Sequence, residues 1–231
     1  MAILEVTLSA GTAVMSAMGH FYADRLGCAA GVPESERLAL RLGETTLTFE
    51  ASSGDPFYHV ALLVPGDRFV PAYEWARERA VLLPGDDGSA VFPFAFWNAQ
   101  ACYFLDPSGN IVELVAHRGC AETGRSGSFA ADEIVGVSEI GIVGEPEDVS
   151  ERLAGELGLE LWDGVVGVPE RLAFVGEKAR TLILASEGRP WLPTGRPAEQ
   201  HPVDVTFSGQ PWGDVKLASG GWIRRRGGFT C

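Results

Sequence analysis

Apolar and polar residues alternate in four short segments of the chain, and this alternation predicts β-strands. The segments span residues 3–8, 57–62, 137–142 and 202–207, and β-branched and aromatic side chains dominate them. Each carries one titratable residue at its third position, and these residues, separated by 54, 80 and 65 positions, are Glu5, His59, Glu139 and Asp204. The pattern predicts an internal repeat, a module of about 50 to 60 residues with insertions of variable length.

A helix and a strand meander are predicted after each of the first three strands. In the first module, apolar residues recur at the helical spacing over residues 14–26, and Gly27 follows. Comparable helices are predicted over 69–80 and 149–157. Strand pairs follow at 38–42 and 45–51, at 101–105 and 111–116, and at 172–175 and 181–185. The fourth module is degenerate, because only a hairpin follows its first strand, before a basic end from Arg224 that we expect to be frayed.

The repeat defines the fold class and the expected domains. We expect an α+β fold of tandem βαβββ modules, in which the first two complete modules form a cupped sheet over residues 1–118. A segment rich in Gly, Ser, Ala and Thr predicts a linker over 119–132. The third module and the degenerate fourth then occupy residues 133–231.

Composition and charge narrow the function classes. The 18 Lys and Arg residues against 31 Asp and Glu residues give a net charge of −13, which disfavours nucleic acid and anionic membrane surfaces as partners. No apolar run is long enough to span a bilayer, and the first residues lack a basic-then-apolar signal pattern. The four cysteines form no CxxC pair, so we expect reduced thiols in a cytoplasmic protein. A small molecule is the expected partner, and self-association into a homodimer is left open.

Strand parity places several titratable residues on one face of each expected sheet. If the first two modules face each other, four of these residues converge in a cup, namely Glu5, Glu50, His59 and Glu113. Three carboxylates and one imidazole suit a divalent ion such as Mn²⁺, Fe²⁺, Ni²⁺ or Zn²⁺. Two alternatives remain open: a buried pair of His59 and Glu113 without metal, and a solvated strand start at Glu5. His117 shares the parity of Glu113, but its place at the end of a strand predicts a surface position.

Residues 21–27 (FYADRLG) and 103–114 (YFLDPSGNIVEL) resemble the vicinal oxygen chelate superfamily of glyoxalases, bleomycin-resistance proteins and extradiol dioxygenases. In such proteins the metal ligands come from the first and last strands of paired modules. The resemblance therefore implies the same four ligands, Glu5, Glu50, His59 and Glu113. It also implies an enzyme of lyase or isomerase type, in which the metal binds two adjacent substrate oxygens. Glu50 or Glu5 would then act as the general base.

Two other members of this superfamily provide rival functions. A metal-free protein of the bleomycin-resistance type would bind a ligand in the same cup, and Glu5 favours it because many relatives have His or Gln there. Ring cleavage by an extradiol dioxygenase is less favoured, because it needs two His and one carboxylate on iron. Residues that could contact a substrate are Phe94, Phe96, Trp97 and Asn98, although aromatic core packing and a turn explain them equally well.

The C-terminal modules are expected to support the site rather than to form it. Glu139 and Asp204 occupy the first-strand position, but Ala185 stands where the third module should carry its last-strand carboxylate. We therefore expect the active cup within residues 1–117.

Overall fold

The computed structural model describes residues 1–31 and 36–227, which form two twisted β-sheets and three α-helices. The seven strands of sheet A are β1 (Ile3–Gly11), β2 (Ala29–Ala30), β3 (Arg37–Leu42), β4 (Thr45–Ser52), β13 (Val203–Ser208), β14 (Gly213–Lys216) and β15 (Trp222–Arg226). The eight strands of sheet B are β5 (His59–Leu63), β6 (Phe92–Phe94), β7 (Ala99–Leu105), β8 (Ile111–His117), β9 (Gly136–Gly144), β10 (Leu161–Gly164), β11 (Ala173–Glu177) and β12 (Arg180–Ser186). Their spatial order is β14-β15-β13-β1-β4-β3-β2 in sheet A and β10-β11-β12-β9-β5-β8-β7-β6 in sheet B.

The helices follow the first strands of modules one to three, as predicted. They are α1 (Met15–Gly19), which continues as π-helical turns over His20–Arg25, α2 (Phe69–Arg79) and α3 (Pro146–Leu157). Gly27 and Gly158 follow the first and third helices with φ of +77° and +59°, the left-handed conformation of a helix end. Within the described residues, no helix is both long and apolar enough to cross a membrane.

The modules pair differently from the expectation. Module one shares sheet A with module four, through the antiparallel strands β1 and β13, and module two shares sheet B with module three, through β5 and β9. The expected cup of modules one and two is therefore wrong, and neither sheet is confined to residues 1–118 or to 133–231. The basic end is also different, since Arg224 to Arg226 belong to β15, between β13 and β14. Its last residues, 228–231, lie outside the described part.

The four first strands nevertheless occupy equivalent places. In sheet A, Glu5 pairs with Thr206 and Asp204 pairs with Thr7. In sheet B, Glu139 pairs with Ala61, which lies two residues after His59. In both sheets the third residue of one first-strand segment therefore pairs with the fifth residue of the segment beside it. This equivalence confirms the predicted repeat.

Each sheet buries one face against the helices, and the opposite faces of the two sheets differ in polarity. The main core combines the helix-facing side chains of both sheets, such as Val6, Phe49, Leu62 and Leu114. A second, smaller core lies on the opposite face of sheet B and includes Ala61, Tyr103, Ile183 and Trp191. The opposite face of sheet A is polar, with Glu5 and Glu50 exposed. The inner face of sheet B is therefore the more apolar of the two.

Gly43 provides a test of the contact between the two sheets. This residue turns the chain from β3 to β4 with φ of +51°, and a Cβ at this position would lie 2.1 Å from the carbonyl oxygen of Val135, at the entry to β9. Gly43→Ala should lower the free energy of unfolding by at least about 2 kcal/mol, because the backbone of one sheet must move away from the other. Urea denaturation measures this loss.

Gly54 supplies the matched control, since its φ is +85° but no atom lies within 4 Å of the place that a Cβ would occupy. Gly54→Ala should cost only the left-handed backbone penalty of about 1 kcal/mol. Equal losses in the two variants would contradict the close approach of the sheets at Gly43.

Candidate active site

Three neighbouring strands of sheet B bring an imidazole and two carboxyl groups to the same pocket. His59 lies on β5, Glu113 on β8 and Glu139 on β9, and each residue is only 4% exposed. Ala61 pairs with both Glu113 and Glu139, and its small side chain leaves the space above the central strand open. His59 Nε2 and Glu113 Oε2 are 3.1 Å apart, within hydrogen-bonding distance.

Burial and neighbouring charge shift the pKa values of two groups in the pocket. Burial, together with the charge of nearby Glu113, raises the pKa of Glu139 well above its ordinary value. Burial is also the largest cause that raises the pKa of Tyr103, and the charges of Glu113 and Glu139 add to it. Both shifts favour the uncharged form of the group.

Aromatic rings form the walls of this pocket, whose volume is about 80 Å³. The rings belong to Phe94, Trp97, Tyr103, Phe174 and Trp191. Such a dry, ring-lined cavity with a few convergent polar groups is typical of small-molecule sites. We call it the cup.

Trp191 closes one side of the cup and orients His59. Its ring stacks on the His59 imidazole with a centroid separation of 5.2 Å and an interplanar angle of 10°. Gly141 makes room for the indole, because a Cβ there would lie 2.9 Å from the ring. Trp191 belongs to the connection between β12 and β13, so the segment that joins the third and fourth modules contributes directly to the cup.

Glu5 and Glu50, the other two predicted ligands, lie in sheet A and do not reach the cup. Glu5 is exposed on β1 and accepts a hydrogen bond from Thr206, and Glu50 is exposed on β4. The strand register also corrects their alignment. Thr48, not Glu50, is equivalent to Glu113, because Thr48 pairs with the fifth position of the first segment.

The same register corrects the expectation for the C-terminal half. The position equivalent to Glu113 in the third module is Ile183, which pairs with Gly141, rather than Ala185. Glu139 lines the same cup as His59 and Glu113, so this cup is not confined to residues 1–117.

The predicted substrate-contacting residues divide into two groups. Phe94 and Trp97 line the cup, and their contact with a substrate stays a prediction. Phe96 is 76% exposed and does not line the cup. Asn98 adopts a left-handed backbone with φ of +53° and is exposed, so it serves the turn before β7.

His117 is the residue that the sequence analysis misplaced most clearly. The imidazole is fully buried at the end of β8, and neither ring nitrogen has a hydrogen-bond partner among the described residues. Burial is the largest cause that lowers the pKa of His117 to about 4, so the ring is neutral at pH 7. Its parity with Glu113 was the available signal, and the terminal position on the strand was misleading.

The donor set of the cup fits a divalent ion in part. His59 Nε2 and Glu113 Oε2 have the separation of two ligands on adjacent corners of one ion, at about 2.1 Å per bond. Across residues 1–31 and 36–227, however, no three His, Cys, Asp or Glu side chains are already grouped to hold a metal. Two potential donors are therefore adjacent, and Glu139 lines the same cup.

Comparison with known proteins identifies the fold. No protein-family profile matches the chain, and no curated protein matches its sequence. Among solved structures, a "putative dioxygenase" from Bacillus subtilis subsp. subtilis str. 168 is 16% identical, with a TM-score of 0.59 over 97% of this chain and 85% of that one. Glyoxalase I from Zea mays is 12% identical, with a TM-score of 0.56 over 97% and 91%.

These structures define the class of protein by its architecture. The chain has the vicinal oxygen chelate fold of tandem βαβββ modules, which confirms the predicted resemblance at the level of the fold.

Proposed function

We propose that the cup is the active site of an enzyme that uses a divalent metal ion to act on a small organic molecule with two adjacent oxygen atoms. His59, Glu113 and Glu139 would hold the ion. The observation that carries the proposal is their position: they come from the first and last strands of the paired modules two and three, they are buried, and they line one pocket. Ligands from these strands are what the superfamily resemblance implies.

The residues around the donors have distinct tasks. A bound ion would supply a Lewis acid that stabilises negative charge developing on a substrate oxygen. Trp97, Phe174 and Trp191 pack against the substrate and exclude water, which strengthens every electrostatic interaction in the cup. Tyr103 pairs with Glu113 across β7 and β8, and the stacked Trp191 fixes the plane of the His59 imidazole.

Glu139 is the group we assign to proton transfer. Burial raises its pKa, so this carboxyl group takes up a proton more readily than an ordinary carboxylate does. It occupies in its own module the place that Glu5 occupies in the first, so it takes the general-base role expected for Glu5 or Glu50.

A metal-free binding protein is the second candidate, and one observation favours it. His59 Nε2 and Glu113 Oε2 already lie within hydrogen-bonding distance of each other, so these two atoms have a partner without an ion. In that case the ring-lined cup would sequester a small ligand without transforming it.

Metal analysis separates the two functions. Protein purified without chelator and then titrated with Mn²⁺, Fe²⁺, Ni²⁺ and Zn²⁺ should bind one ion per chain, measured by calorimetry and elemental analysis. Binding should weaken at low pH, because protons compete for the imidazole and the carboxylates. Protein that stays metal-free under an excess of all four ions would exclude the enzyme proposed here and favour the binding protein.

A further inference from the structure

The buried imidazole of His117 has no role in the proposed ligand set. It is 0% exposed, and both Nδ1 and Nε2 lack a hydrogen-bond partner among the described residues. Buried polar atoms are nearly always paired, and leaving one unpaired costs free energy of folding. A side chain of this kind at the edge of the cup therefore calls for a functional explanation.

Glu139 is the carboxyl group closest to His117. His117 Nε2 lies 3.9 Å from Glu139 Oε1, which is too long for a hydrogen bond but close enough for a small side-chain rotation to form one. On the other side of His117, the ring of Trp97 lies 6.3 Å away between centroids, so the imidazole sits between a wall of the cup and Glu139. Glu113, on the same face of β8, is held separately by His59, whose Nε2 lies 3.1 Å from Glu113 Oε2.

We propose that His117 is a positioning residue for Glu139: its ring N–H donates a hydrogen bond to the carboxylate that would hold the ion. This inference rests on the proposed function. Carboxylates that ligate metals are themselves hydrogen-bonded, and such outer partners typically change metal affinity by about 10- to 100-fold. Within the cup, His117 is the side chain placed to do this for Glu139, as His59 and Tyr103 contact the other carboxylate.

The test is replacement of His117 by residues that do and do not donate a hydrogen bond. His117→Phe should weaken binding of Zn²⁺ or Mn²⁺ alone by about 10- to 100-fold at unchanged stoichiometry, measured by calorimetry. The same variant should be at least as resistant to urea as the parent without metal, because an unpaired polar ring is replaced by an apolar one. His117→Gln keeps a donor and should bind the ion within about 3-fold of the parent.

Three comparisons make the outcome decisive. His20→Phe, on an exposed helical position, should leave metal affinity unchanged. His117→Leu serves as the apolar variant if the larger phenylalanine prevents folding. Unchanged metal affinity in the apolar His117 variant would overturn the positioning role alone. Loss of the ion from that variant to the extent expected for His59→Ala would overturn it as well. A parent protein that binds no metal would overturn both the proposed function and the positioning role.

Discussion

Glu113→Gln, Glu139→Gln and His59→Ala should each weaken metal binding by more than about 100-fold, because each removes a ligand from a site that has three. Glutamine keeps the shape of glutamate, and an amide in place of the Glu113 carboxylate can still pair with His59 or Tyr103, so the fold should persist. Calorimetric titration with Zn²⁺ and Mn²⁺ measures the affinity, and the urea midpoint without metal reports the fold.

Glu5→Gln and Glu50→Gln are the matched controls for this series. Both carboxylates lie exposed in sheet A, so their loss should leave metal affinity within about 2-fold of the parent, since an exposed charge in the other sheet has little electrostatic effect on the cup. A strong loss in these controls, with little change in Glu139→Gln, would place the ion in sheet A and contradict the assignment to the cup.

The sequence predicted the modules because their signals are local. Alternation, helical spacing and glycine stops lie within about 15 residues of each other, and the ends of the predicted strands differ from the observed ones by at most three residues. The equivalence of Glu5, His59, Glu139 and Asp204 is likewise a property of the repeat, and the register of both sheets confirms it.

The pairing of the modules could not be predicted from the same signals. The first strand of each module offers backbone hydrogen-bonding groups along its edges. The alternation of apolar and polar residues within a strand does not determine which other strand pairs with that edge. The polarity of the inner faces did contain information about the pairing, however. At equivalent inner positions, modules one and four carry Thr48 and Thr206. Modules two and three carry the apolar residues Ala61 and Ile183 at such positions. The two modules of one sheet surround the same cavity, so modules whose inner faces have similar polarity are expected to pair.

Parity also has a limit that explains the error at Glu50. Thr48 and Glu50 point to the same face of β4, so parity alone cannot tell which of them is level with Glu113 on β8. Only the register of β1 against β4 decides it, and this register depends on hydrogen bonds between two strands that are far apart in the sequence.

Asp106 should make the stability of the protein depend on pH between about pH 4 and 6, in the direction opposite to most carboxylates. This buried residue, in the turn between β7 and β8, accepts hydrogen bonds from the backbone N–H groups of Ser108 and Asn110, from the Asn110 amide and from the Tyr22 hydroxyl group. Burial outweighs these bonds and raises the pKa of Asp106 to about 6. Tyr22 belongs to the first module, so the turn joins the two sheets through this residue.

The sign follows from proton binding. Between the unfolded pKa near 4 and the folded pKa of about 6, the folded protein binds more protons than the unfolded chain, so the contribution of Asp106 to stability decreases as pH rises. Asp106→Asn cannot titrate. The stability advantage of the parent over this variant should therefore shrink by up to about 3 kcal/mol from pH 4 to pH 7, measured by urea denaturation at both pH values.

Tyr22→Phe is the control that separates this titration from simple loss of a contact. The Tyr22 hydroxyl group lowers the pKa of Asp106, so its removal should cost about 1 kcal/mol and shift the pH-dependent window upward while the window itself persists. A constant difference between the parent and Asp106→Asn from pH 4 to pH 7 would show that Asp106 titrates normally. It would also mean that the four hydrogen bonds, rather than burial, control this carboxyl group.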